Sequence, residues 1–138
     1  MHPIGKAAEL SGVKVTTIRY YEEVGLMPEP ERRASGRRSY DHAAIDRLRF
    51  IRHARDLGFP VESIRSLIDL QQTPGRDCSQ VDALASRHLD DVRARIARLR
   101  ELEAELERIT HSCRGGTVEA CEIMACLGDH SLCDSDRH

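Results

Sequence analysis

IRYYEEVGLMPEP, residues 18–30, changes character in its middle, and that change decides how the chain is read. Its first half continues a helix that begins at about Lys14 and runs to Val24. Gly25 follows in the C′ position, where glycine is favoured because it tolerates a left-handed backbone. The next stretch, LMPEPERRASGRRSY, carries two prolines, one glycine and no helical period. It reads as an extended, turned loop with Ser35-Gly36 at a hairpin tip. Upstream, Ile4 to Leu10 reads as a short helix with Ile4, Ala7 and Ala8 on one apolar face, broken by Ser11-Gly12. Two short helices joined by a Gly-containing turn match a helix-turn-helix.

Downstream, Asp41 is placed to cap a helix running to about Leu57, with Ile45, Leu48, Ile51 and Phe50 facing inward and Gly58 ending it. Pro60 opens a further helix in which Ile64, Leu67, Ile68 and Leu70 are apolar. Gln71 to Arg76 is a linker, and Asp77 then reads as the N-cap of the longest helix, with Gln80 as a capping-box partner. From Val92 the apolar positions run Ile96, Leu99, Leu102, Leu106 and Ile109, at spacings of three and four. That is a coiled-coil seam. A helix from Cys78 to about Thr110 would be roughly 50 Å long, too long for one small domain to bury its stripe, so a homodimer through a parallel or antiparallel coil is expected. Gly115-Gly116 then forms a loop, and a short amphipathic helix follows from about Val118 to Leu127.

The composition agrees with a small helical protein. The 138 residues are 40% hydrophobic but only 4% aromatic, with no Trp and two Phe, which suits a Leu/Ile/Val/Ala helical core rather than a large β-sandwich. No apolar run approaches the roughly 20 residues of a membrane span, and MHPIGKAAEL lacks the features of a signal peptide. A cytoplasmic location is expected, where thiols stay reduced. The five cysteines are odd in number, so complete intrachain pairing is impossible, and metal binding or redox sensing is the better reading. The net charge of −2 hides an asymmetry: residues 1–60 carry +3 and residues 61–138 carry −5. ERRASGRR, residues 31–38, holds four Arg and one Glu, a local basic cluster that suits one nucleic-acid-facing surface. No HExxH or equivalent grouping accompanies the cysteines, which argues against a zinc enzyme.

The succession IRYYEEVGLMPEP, SGRRSY and LRFIRHARDLGF strongly resembles the MerR family of bacterial transcription regulators, and within it the metal-sensing branch. The resemblance implies an all-α fold with a small β wing. It divides the chain into a winged helix-turn-helix DNA-binding domain (1–72), a long antiparallel coiled-coil dimerisation helix (77–112), and a metal-binding loop, short helix and tail (113–138). It also implies a homodimer on double-stranded promoter DNA that distorts the duplex on effector binding, so that RNA polymerase engages both promoter elements. Thr16, Thr17, Arg19 and Tyr20 fall on the matching recognition helix, and Arg38 and Tyr40 on wing positions that hold the backbone. Arg37 stands where an aromatic commonly precedes that arginine, exchanging packing on a sugar for phosphate charge. Tyr21 reads as core, and Arg47, Arg49, Arg52 and Arg55 as a solvated basic face.

Thiolates are soft ligands suited to Zn, Cd, Pb, Hg and Cu(I). Cys113 and Cys121 frame the seven-residue loop RGGTVEA, which resembles the family's metal-binding loop. Cys78 begins the long helix, where the positive end of the helix dipole favours an anionic ligand. The resemblance implies that Cys78 of one subunit joins Cys113 and Cys121 of the other. A cysteine at this position goes with sensors of divalent soft ions: Zn, Cd, Pb or Hg. Three thiolates suit Pb or Hg, while a fourth ligand for Zn or Cd could come from His111, Cys126, His130 or Cys133. Cys126 also reads as a small buried apolar residue. The alternative is a thiol-redox-responsive regulator of the same fold.

Overall fold

In a computed structural model, residues 1–32, 34, 36–112, 118 and 122–128 are described. The elements run α1 (Ile4–Ser11), α2 (Val15–Glu23), β1 (Glu31–Arg32), β2 (Arg38–Ser39), α3 (His42–Asp56), α4 (Val61–Gln71), α5 (Ser79–Ser112) and α6 (Glu122–Gly128). The chain divides into two units, Met1–Ala85 and Ser86–His138, so the first turns of α5 belong with the N-terminal helices.

In the first unit the apolar periods of four helices meet in one core. Ala7 of α1, Ile18 and Tyr21 of α2, Ile45, Leu48 and Ile51 of α3, and Ile64 and Ile68 of α4 are all buried in it. Gly12 ends α1 at φ 74°, its N–H returning to the Ala8 carbonyl. The backbone there requires glycine, and the Arg52 guanidinium packs over the space a Cβ would take. Beyond α2, Gly25 takes φ 79° and the buried Leu26 and Met27 send their N–H groups back to the Tyr21 carbonyl. This tucks the chain under α2 before it leaves for the wing.

β1 and β2 pair antiparallel with Glu31 opposite Ser39 and Arg32 opposite Arg38. Gly36 turns at φ 82°, and His2 adds a bridge to Tyr40 on the outer side. Asp41 caps α3, its Oδ1 accepting the Ala44 N–H at 2.8 Å. Arginines close other helix ends. Arg49 donates twice to the Leu10 carbonyl, at 3.2 and 3.0 Å, and Arg65 donates to the Val24 carbonyl. Arg55 reaches the Phe59 carbonyl at 2.7 Å. The α3 arginines expected to be a solvated face therefore include two that satisfy backbone oxygens.

At the start of α5 the capping differs from the expected box. Asp77 accepts from the Ser79 N–H at 3.0 Å and the Ser79 hydroxyl at 2.6 Å, and these bonds hold its carboxyl below the usual range. Gln80 instead accepts from Arg76 at 3.3 Å, because the helix begins two residues after Asp77. α5 is 34 residues long. In the second unit, Ile96, Leu99 and Leu106 of its seam are exposed by 42, 64 and 57% in the single chain. Of the final helix, expected from about Val118 to Leu127, the described part is Glu122–Gly128. No described helix is long and apolar enough to cross a membrane.

Candidate functional site

α2 presents Thr16, Arg19 and Tyr20 to solvent and Thr17 half-buried, while Ile18 and Tyr21 anchor its other face. The split follows from helical spacing: residues 18 and 21 share a face, and residues 16, 19 and 20 share the opposite one. The wing brings its arginines to the same place. Pro3, Ile4, Arg19, Arg32, Arg37 and Arg38 line one cleft of about 490 Å³. Four guanidinium groups around one cleft repel each other unless an anion occupies it. The strand register adds to this repulsion, since Arg32 stands directly opposite Arg38, and like charges so placed are destabilising. A polyanion backbone bound there would offset both costs.

Arg32 is a member of this set that residue reading missed. Its signal was the 31–38 arginine cluster, but only the register shows which of those arginines flank Arg38. Arg33 lies outside the described residues, as does Ser35.

Tyr40 corrects its expected role. Placed by the resemblance on the backbone-gripping surface, it is instead 1% exposed, with its ring in the core. Its hydroxyl donates to Glu22 Oε1 at 3.1 Å. Burial and the adjoining Glu22 carboxylate push its pKa up to about 12. The same carboxylate oxygen lies 3.5 Å from Arg38 Nη1. Tyr40 thus reaches the wing from inside and has no surface to offer a phosphate. Tyr21 is core as expected, and burial raises its pKa too, against the lowering effect of Arg55.

Of the thiols, Cys78 is exposed and precedes α5, its carbonyl accepting the Asp82 N–H at 2.9 Å. His111 is exposed in the last turn of that helix, and Cys126 falls within α6. Cys113, Cys121, His130 and Cys133 lie outside the described residues. Among the described residues, no three His, Cys, Asp or Glu side chains gather into a possible metal site.

A recognition helix and an arginine-bearing wing around one cleft are the parts of a DNA-binding regulator. The family model for MerR HTH family regulatory proteins matches residues 3–71, and that for MerR, DNA binding, matches residues 45–109. The chain belongs to the MerR family. It is a DNA-binding transcription regulator and not an enzyme. The MerR-family relative HTH-type transcriptional regulator HmrR of Rhizobium leguminosarum bv. viciae is 39% identical over 126 residues, covering 91% of this chain and 97% of HmrR. HTH-type transcriptional regulator ZntR of Escherichia coli K12 is 37% identical over 130 residues, 92% of each chain. Among solved structures, the transcription regulator PbrR691 from Ralstonia metallidurans CH34, in complex with lead(II), superposes with a TM-score of 0.82 at 37% identity. That match covers 92% of this chain and 99% of PbrR691.

Proposed function

We propose that this MerR-family chain is a heavy-metal sensor: a homodimeric activator that binds promoter DNA through the four-arginine cleft and responds to a divalent soft ion, Zn, Cd, Pb or Hg. The observation that carries the reading is the exposed Cys78 thiol at the start of a 34-residue helix whose far end runs on in sequence into Cys113. At about 1.5 Å per residue the helix separates its two ends by roughly 50 Å. A straight helix of that length would keep Cys78 and Cys113 of one chain from closing on one ion. An antiparallel pair of α5 helices would bring Cys78 of one subunit to Cys113 and Cys121 of the other, and the exposed apolar positions Ile96, Leu99 and Leu106 supply the surface for that pairing. Three thiolates are a donor set that fits soft cations. Similarity to ZntR and to lead-bound PbrR691 supports the same reading. In this scheme the shared site ties the two subunits together, and the change passes along α5 to the DNA-binding units, which bend the promoter so that RNA polymerase can engage it.

The test is a mixed dimer. A Cys78→Ser subunit is paired with one carrying Cys113→Ser and Cys121→Ser, which rebuilds one shared site and destroys the other. Tight divalent binding at one ion per heterodimer is expected, although both parent homodimers bind poorly. As control, a wild-type subunit is paired with a triple-Ser subunit, which keeps one complete set within a chain. Tight binding by that control and none by the first heterodimer would overturn the shared site.

A further inference from the structure

Glu22 does not line the arginine cleft, and its surroundings are unusual for a carboxylate. It lies in the last turn of α2, where the negative end of the helix dipole disfavours an anion. Its side chain is 9% exposed, and burying a charge costs stability unless it is paired. Oε1 carries both polar contacts, Arg38 Nη1 at 3.5 Å and the Tyr40 hydroxyl at 3.1 Å. Oε2 is buried with no hydrogen-bond partner. Selection for stability alone favours an apolar residue at such a place. Both partners of Glu22 belong to the wing or its base, and the wing strands are two residues each, too short to fix an arginine by themselves.

We infer that Glu22 is a positioning residue for DNA binding: through Arg38 and Tyr40 it ties the wing to the recognition helix, so that Arg38 and Arg19 meet the phosphate backbone as one preset pair. The inference rests on the reading of the four-arginine cleft as the phosphate-binding surface. A guanidinium has five N–H donors in a planar fork, so one edge stays on Glu22 while the other takes a phosphate. Fixing Arg38 in advance spares the side-chain ordering that binding otherwise requires. Tyr40 acts from beneath by holding Oε1 in place.

The test is a double-mutant cycle. Wild type, E22Q, R38A and E22Q/R38A are titrated at several salt concentrations onto a promoter duplex and a scrambled duplex of equal length. E22Q keeps an acceptor for Tyr40 but removes the charge that holds Arg38. Binding should weaken about fivefold on both duplexes, the size of coupling expected between contacting groups. The loss should vanish in the R38A background. A loss that persists without Arg38 would mark a merely structural role and overturn the inference. Tighter binding by E22Q with a steeper salt dependence would also overturn it, since Glu22 would then be masking Arg38. Should E22Q fail to fold, Y40F carries the same cycle, with a smaller loss that R38A erases; a loss independent of Arg38 refutes it. R19A separates the two layers. Wild-type binding indifferent to R19A overturns the interface reading and this inference together, whereas R19A-sensitive binding with E22Q equal to wild type overturns this inference alone.

Discussion

Tyr40 makes stability depend on alkaline pH in a way that one substitution can isolate. In the unfolded chain its hydroxyl ionises near the ordinary value of 10.0, while the fold holds the proton to about 12 because the ring is buried and Glu22 lies against it. Below pH 10 both states are protonated and the stabilisation is fully present. Between pH 10 and 12 the unfolded chain ionises while the folded chain resists, so stability is lost as pH rises through that window. Two pKa units at about 1.4 kcal/mol each put the loss at about 3 kcal/mol. Urea unfolding of wild type and Tyr40→Phe, from about pH 9 to about pH 12, reads it as the difference between the two curves. Tyr21 titrates with the same sign but is present in both proteins and cancels. Near neutral pH Tyr40→Phe should already cost about 2 kcal/mol, since it removes a hydrogen bond to a carboxylate. A difference that stays flat from pH 10 to 12 would refute the buried hydroxyl–Glu22 contact.

Other outcomes follow from single side chains. Asp41→Ala removes the side chain that accepts the Ala44 N–H and should cost about 1 kcal/mol in urea unfolding, with Asp41→Asn recovering most of it. Leu99→Asp puts a charge in the middle of the exposed α5 seam; sedimentation should show a dimer become a monomer, and a wild type that is itself monomeric at micromolar concentration would sink the dimer. Arg19→Ala should flatten the salt dependence of DNA binding by about 0.9 in log–log slope for each phosphate left without its arginine, with metal affinity unchanged; an unaltered slope would remove Arg19 from the phosphate-binding set.

The helices were legible because their signals are local. Asp41 before a helix, Gly12 and Gly25 after one, and the three-and-four spacing from Val92 to Ile109 each act within a turn or two. The surface residues of α2 were legible for the same reason: once Ile18 and Tyr21 are core, helical spacing turns Arg19 outward. Tyr40 and Glu22 were not legible, because their contact spans 18 positions and depends on how the wing returns across the end of α2. Arg32 belongs to the cleft through strand register, which two-residue strands do not announce. Gln80 failed as a capping partner because α5 starts at Ser79 and Arg76 claims its amide oxygen.

The four-arginine cleft sits on a chain whose net charge is −2, and this shapes how the protein finds its target. At distances beyond a Debye length, roughly 10 Å in moderate salt, the charges of the molecule are largely screened and DNA exerts little force on it. Closer in, only approaches that lead with the cleft gain attraction, so collisions are sorted by orientation before contact. A small cationic footprint also releases few counterions on random sequence, which keeps each non-specific visit short and easily ended by salt. With the cleft as the phosphate contact, search for the promoter would proceed by many brief landings rather than by long residence on the wrong DNA.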